Sequence, residues 1–449
     1  MKLKLVVLSM SILGLVSCPT YAAMNAKQKK QQKMQPQTET REYKDMSDVC
    51  TVSRTSMTLD AMTQNMGRAM PNPCNPGWFN RIQFSGGVNV DFGKFGSRNA
   101  NIMGENYQVV SLNDAYLNVA ATVNDWTKAF ASLSYSNPTT NANPATFNQF
   151  GAAEYSAAYA NNIFGTAVNT LQLEQAFATF GNFDVYPVFV QVGRQYQDFG
   201  RYVTHPIERS VTQSMTETLA TSAKVGFIVP MGFNGSIYVF NDPLRKASAL
   251  NTSTNGGVSL GYDQPSDQLG WDIGAAYLYN FVGVNDIAYS VVNFTGTNNY
   301  NKRIGGYAIY ADVNSGPFML GARYAASAGR FSPVDLPKNG VADLTGGTIA
   351  GSTPSGATGA RPWGVGVQAA YSFEGYSKNQ NVYVGYQGTS EAAGLNLPDN
   401  RWLIGYGIDV WKNTNLAAEW DYDKAYGTSN GGSGRNTNLV SLRLATQYS

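Results

Sequence analysis

From Arg401 to Tyr448 the chain alternates apolar and polar residues with a period of two, and this limits its folding more than any other feature. Along 401–410 one face carries Trp402, Ile404, Tyr406, Ile408 and Val410, and the other carries Arg401, Leu403, Gly405, Gly407 and Asp409. After a short turn at 411–414, Leu416, Ala418, Trp420 and Tyr422 oppose Asn415, Glu419, Asp421 and Asp423. The last run sets Val440, Leu442, Leu444, Thr446 and Tyr448 against Ser441, Arg443, Ala445 and Gln447. About ten residues per strand, apolar on one face and polar on the other, is what a tilted strand needs to cross a bilayer around a polar lumen. A soluble sandwich also alternates, but it rarely carries so many charges on its inward faces. The expected fold is all-β: a transmembrane antiparallel barrel in a bacterial outer membrane, in contact with its lipid.

Residues 1–22 read as a secretory signal, with Lys2 and Lys4, an apolar core over 5–16 and a small-residue site ending at Ala22. A lipoprotein box at Leu15–Cys18 is the alternative, although Pro19 after the cysteine does not suit it. Beyond the signal no apolar run approaches the roughly twenty residues of a transmembrane helix. Hydrophobic residues make up 43% of the chain and the mean hydropathy is −0.25, as half-polar strands require. The net charge of +2 comes from the N-terminus, where residues 1–78 hold ten of the 32 Lys/Arg but only five of the 30 Asp/Glu. The remainder is slightly acidic, so nothing in the charge calls for a nucleic-acid partner.

Residues 23–78 form a separate periplasmic segment ahead of a barrel over 79–449. It has a Lys/Gln-rich run and a short amphipathic helix over 56–70, with Leu59, Met62, Met66 and Met70 on one face. Sixteen strands are expected, starting near Phe79, Gln108, Thr127, Asn169, Pro187, Thr218, Gly235, Gly256, Leu269, Ile304, Phe318, Trp363, Asn381, Arg401, Asn415 and Asn436. The strand near Gly256 is the weakest, which leaves fourteen as the alternative. Connectors alternate short and long, the asymmetry of tight periplasmic turns and longer outer loops. Tyr448 is followed by Ser449, whereas many such barrels end on an aromatic.

Inner-face positions give the expected pore lining: Arg81, Asp91, Lys224, Arg323, Arg401, Asp409, Glu419, Asp421, Asp423 and Arg443, with Asp114, Glu174, Asp272 and Asp312 in the same phase. Glu419, Asp421 and Asp423 repel one another unless cations compensate them, and Arg401 and Arg443 stand on the adjacent strands. This stripe is either a salt-bridged wall or a selectivity element. A loop carrying Arg194, Asp198, Arg201, Glu208 and Arg209 would form a charged constriction if it folds inward. Arg194 shares the phase of Val188, Val190 and Val192, so either the strand ends or bulges at Gly193 or Arg194 already lies at the interface. His205 is the single histidine, so no second histidine supports a nucleophilic dyad or a metal site, and neither an enzyme, a metal site nor a cofactor is expected.

The run Leu173-Glu-Gln-Ala-Phe-Ala-Thr-Phe-Gly-Asn182, followed by Pro187-Val-Phe-Val-Gln-Val-Gly-Arg-Gln-Tyr-Gln-Asp-Phe-Gly-Arg201, resembles a porin strand pair and its following loop. It is most similar to the TonB-independent siderophore porins of the legiobactin-receptor type. That resemblance implies sixteen strands, a short periplasmic N-terminal segment and passage of ferric siderophore; it assigns no binding residues. Two functions remain in play: a channel for small polar solutes, siderophores included, and a structural or adhesive surface barrel with little conductance. A TonB-dependent receptor would need about twenty-two strands and a globular plug, more than this chain supplies. Monomer and trimer both remain open.

Cys50 and Cys74 are the even pair left after signal cleavage, and an oxidising compartment favours their disulfide. Closing a loop of about 25 residues should stabilise the segment by roughly 3 kcal/mol. Mass spectrometry of protein isolated without reductant should find the two joined; two free thiols would refute the pairing.

Overall fold

The computed structural model describes residues 82–95, 107–136, 170–183, 185–201, 207–249, 254–264, 269–340 and 356–448. The signal, the cysteines, the 56–70 helix, Arg81 and His205 lie outside the described residues.

Sixteen antiparallel strands close into one barrel. In chain order they are β1 (Ile82–Phe95), β2 (Tyr107–Asn124), β3 (Thr127–Ser136), β4 (Thr170–Phe180), β5 (Val188–Tyr196), β6 (Leu219–Ile228), β7 (Phe233–Asn241) and β8 (Thr254–Gln264). The second half comprises β9 (Gly270–Leu278), β10 (Gly306–Ser315), β11 (Phe318–Ser327), β12 (Trp363–Gly375), β13 (Lys378–Ser390), β14 (Asn400–Trp411), β15 (Thr414–Lys424) and β16 (Asn436–Tyr448). The strand expected near Gly256 is β8, fully paired with β7 and β9, so the count is sixteen and not fourteen.

Every strand pairs with its sequence neighbour, and β1 closes on β16 from Gly86↔Tyr448 to Phe95↔Leu439. The connectors after even strands are short. Tyr376 and Ser377, for example, join β12 to β13 with φ of 54° and 56°, the twist-matched hairpin turn. Those after odd strands are long and gather at the other end.

Alternation sorts the side chains as the sequence implies. Val188, Val190, Val192, Ile237, Leu260, Ile309, Val384, Ile404 and Val440 are exposed on the outer wall. Aromatic rings edge this apolar band at both ends. Trp126–Tyr186, Phe233–Tyr262 and Phe318–Tyr371 mark the short-turn end, and Tyr307–Tyr324–Trp363 and Tyr386–Trp402 the long-loop end. An apolar belt between two aromatic girdles is the exterior of a membrane barrel.

The sequence did not announce what fills the long-loop end. The connector over 279–305 folds inward and carries α2 (Asn285–Thr295), whose Ile287, Val291 and Val292 are fully buried. They pack with Tyr238, Phe240, Leu278 and Ala308 from the inner faces of β7, β9 and β10, and with Phe331, Leu336 and Leu395 from neighbouring loops. One sector of the barrel mouth therefore holds a dry core. A second short helix, α1 (Val211–Ser214), lies in the connector between β5 and β6 and is capped by Ser210.

The closing seam carries its own ion pair. Asp91 and Arg443 are opposite each other in register, with Nε–Oδ1 at 2.7 Å and Nη2–Oδ2 at 2.8 Å. Replacing Arg443 by Ala would leave the buried Asp91 without its cation, a change of about 3–5 kcal/mol. Urea unfolding of the refolded protein in detergent should show that loss in R443A and a smaller one in D91A/R443A than the single changes sum to.

Candidate functional site

The site is built from the two described stretches, 197–201 and 207–218, of the connector between β5 and β6. It leaves β5 along the wall of β6 and β7: Gln197 Nε2 donates to Ser222 Oγ at 2.9 Å, while Asp198 accepts from Lys224 Nζ at 2.9 Å and from Ser236 Oγ at 2.5 Å. Arg201 reaches the next wall, 3.4 Å from Asp272 of β9 and over the Tyr310 ring of β10.

From Ile207 onward the connector is bound to the opposite wall. The Glu419 carboxylate of β15 accepts the backbone N–H groups of Ile207 and Glu208, each at 2.7 Å, and the Tyr383 hydroxyl at 2.9 Å. Arg401 of β14 donates to the Arg209 carbonyl at 3.0 Å, Arg443 of β16 to the Ile207 carbonyl at 3.2 Å, and Val211 N–H to Gln387 Oε1 of β13 at 2.8 Å. The connector, called the strap below, is thus held by β6, β7, β9 and β10 through residues 197–201 and by β13–β16 through residues 207–211.

Arg209 turns away from the wall and joins Glu217 at 2.8 Å and Asp286 of α2. Burial pushes the Glu217 carboxyl up to about 7 and Asp286 upward too; Arg209 opposes both shifts. This trio connects the strap to the dry core at the mouth.

Several sequence expectations need correction. Arg194 does not join Arg201 and Arg209: it pairs in register with Ala176 and Thr221, keeps their outward phase, and its Nε donates to the Glu174 carbonyl at 2.9 Å. No bulge forms at Gly193; the irregularity lies in β4, where the register skips Glu174, whose carboxylate accepts the Tyr196 hydroxyl at 2.6 Å. Gly193 is nevertheless required, since with φ of 139° a Cβ there would lie 2.3 Å from the Ala176 carbonyl oxygen. Asp198 is held by Lys224 and Ser236 of the wall, with Arg201 near enough to feel its charge, and the Glu208 backbone N–H is held by Glu419. Arg443 makes its ion pair with Asp91 across the seam, and its charge also acts on Glu419 of the triplet. Within that triplet Glu419 holds the strap, Asp423 is paired bidentately with Arg401 at 2.6 and 2.7 Å, and Asp421 is buried with neither oxygen hydrogen-bonded.

Of the other inner-face residues, Arg323 is held bidentately by Asp312 at 2.8 and 2.7 Å. That pair borders a water-sized gap between Ser210 and Gln368, Gln387 and Leu403. Asp409 sits at the short-turn end, bonded to Asn415 and Asn379.

Sequence reasoning centred on charge passed over the neutral part of the wall. Asn118, Ser132, Ser134, Gln175, Thr179, Gln191, Gln195 and Ser222 face inward along β2–β6 and are buried. Their signal was their phase, clearest where Asn118 alternates with Leu117 and Val119 and Gln191 with Val190 and Val192. The interior is thus uneven: amides and hydroxyls predominate along β2–β6, which also carry Asp114, Glu174 and the Lys224–Asp198 pair, and ion pairs predominate along β13–β16.

This architecture is that of an outer-membrane porin. The OmpF porin of Salmonella typhi, in its complex with daunomycin, superposes with a TM-score of 0.51 at 12% identity, covering 82% of this chain and 97% of that one. No protein-family model matches the sequence. Two relatives, both called only UPF0422 protein, align with it. That of Coxiella burnetii is 25% identical over 257 residues, 57% of this chain and 51% of its own length. That of Legionella pneumophila (strain Philadelphia 1) is 23% identical over 367 residues, 76% of this chain and 62% of its own length. The chain therefore spans between half and two thirds of the length of these relatives.

Glu419→Ala would remove the acceptor of two backbone N–H groups, worth about 3 kcal/mol together when the acceptor is charged. Amide exchange at Ile207 and Glu208 should then accelerate by roughly two orders of magnitude, with Glu419→Gln intermediate. Unchanged exchange in E419A would show that the strap does not depend on this carboxylate.

Proposed function

We propose that the chain is a channel of the bacterial outer membrane that passes small polar solutes through a constriction formed by the 197–218 strap. The observation that supports this best is the strap itself: a loop tied by Glu419, Arg401, Arg443 and Gln387 narrows a sixteen-stranded lumen, which otherwise leaves an aqueous bore. The constriction residues in this reading are Asp198, Arg201, Glu208 and Arg209, and the lining residues are Asp91, Lys224, Arg323, Arg401, Glu419, Asp421, Asp423 and Arg443. No catalytic step is part of it. Ferric siderophore is the finer reading; it is supported by the resemblance of residues 173–201 and by the amide- and hydroxyl-lined side of the lumen.

Most lumen charges are internally compensated, so selectivity should rest on the few that are not. Asp421→Asn leaves the strap's bonds in place and, at a pH where the Asp421 carboxyl is ionised, should lower the cation-to-anion permeability ratio roughly twofold at low salt, fading at about 1 M where the screening length is about 3 Å. Reversal potentials across a salt gradient in planar bilayers measure this. An unchanged ratio would reduce Asp421 to a buried wall residue. A wild-type protein that conducts nothing, with siderophore uptake intact in its absence, would favour the surface-barrel alternative.

A further inference from the structure

On the outer wall at the long-loop end, a cavity of about 230 Å³ opens between the ends of β10, β11, β12 and β13. Its lower wall is aromatic. Tyr307 and Tyr324 have ring centroids 5.9 Å apart, and Trp363 stacks at 6.2 Å from Tyr324 with an interplanar angle of 28°. Its upper wall is ionic, made by Arg330, Arg361 and Glu391. Glu391 orients these groups: it takes Arg330 Nη1 at 2.7 Å and Nη2 at 3.1 Å, and it accepts the backbone N–H of Arg361 at 2.7 Å. Among the described residues no partner engages the two terminal amino groups of Arg361.

The surroundings add positive charge. Lys302 Nζ donates to the Arg330 carbonyl at 2.8 Å, Lys338 stands 3.4 Å from Glu391, and Arg303 lies over the Tyr279 ring at 4.8 Å. Arg330, Arg361 and Lys338 therefore surround Glu391, Lys302 is tied to the Arg330 carbonyl beside them, and the neighbouring carboxylate Asp335 is already used by the N–H groups of Asn301 and Lys302. A cationic excess directly above a lipid-facing aromatic ledge fits a ligand that is anionic at its head and apolar below.

We infer that this cavity binds the phosphate-bearing headgroup of an outer-leaflet glycolipid, with Arg361 and Arg330 on the phosphate and the glycolipid's chains along Tyr307, Tyr324 and Trp363. The inference rests on the outer-membrane placement proposed above but not on conduction, so the two can fail separately. Because the cavity is outside the lumen, Arg361→Ala should leave single-channel conductance unchanged.

The test is native mass spectrometry of the full chain in detergent with bisphosphorylated lipid A. Wild type should retain one lipid, R361A should retain it about tenfold less well, and R361K should be intermediate because it keeps charge but loses the fork. Dephosphorylated lipid A with wild-type protein should bind as weakly as R361A, a comparison that needs no variant to fold. Equal retention of phosphorylated and dephosphorylated lipid, or by wild type and R361A, overturns the inference. So does displacement of the lipid by millimolar inorganic phosphate, which would mark a site for free anions, or a spectrum in which a second copy of the chain excludes the lipid.

Discussion

A strand in a bilayer has no water to satisfy its N–H and C=O groups, so a sheet with an open edge cannot stay there. The meeting of β1 and β16 removes that edge, and the other arrangements follow from it. Closure fixes the register, and register fixes which alternate residues face lipid and which face the lumen. It also brings Asp91 next to Arg443, 352 positions away in sequence, so the last contact of the sheet is reinforced by a charge pair inside the wall.

Once closed, the interior divides into sectors of different chemistry. Beneath the long loops, α2 and its neighbours fill the mouth against β7–β11 with apolar side chains. Along β2–β6 the wall is mostly amides and hydroxyls, with Asp114, Glu174 and Lys224 among them, and along β13–β16 it holds guanidinium and carboxylate groups paired with each other or with the strap. The strap links these regions, meeting the dry core through Arg209 and the charged wall through Glu419. A solute crossing the barrel would encounter a surface whose fixed charges already neutralise one another.

The fold was legible because a two-residue period survives in nearly every strand, even in β8, where glycines at 256, 257 and 261 dilute it. The partners of the charges were not. Glu419 is held by backbone amides of a loop more than two hundred residues away, and no side-chain pattern announces such a bond. Arg443 looked toward β15 in sequence order because its true partner lies across the seam. The inward core escaped notice for a similar reason: Tyr238 and Phe240 occupy the same phase as Ser236, so only the docking of α2 distinguishes a dry inner face from a wet one. Arg194 was legible in phase but was grouped with loop arginines from which the continuous β5 register separates it.

The manner in which Glu419 grips the strap has an evolutionary consequence. Both bonds go to main-chain N–H groups, which any residue except proline provides, so the attachment does not depend on which side chains stand at 207 and 208. The attachment point and the exposed chemistry of the strap are therefore separable traits. Descendants of this barrel can exchange the strap's side chains while the fastening persists.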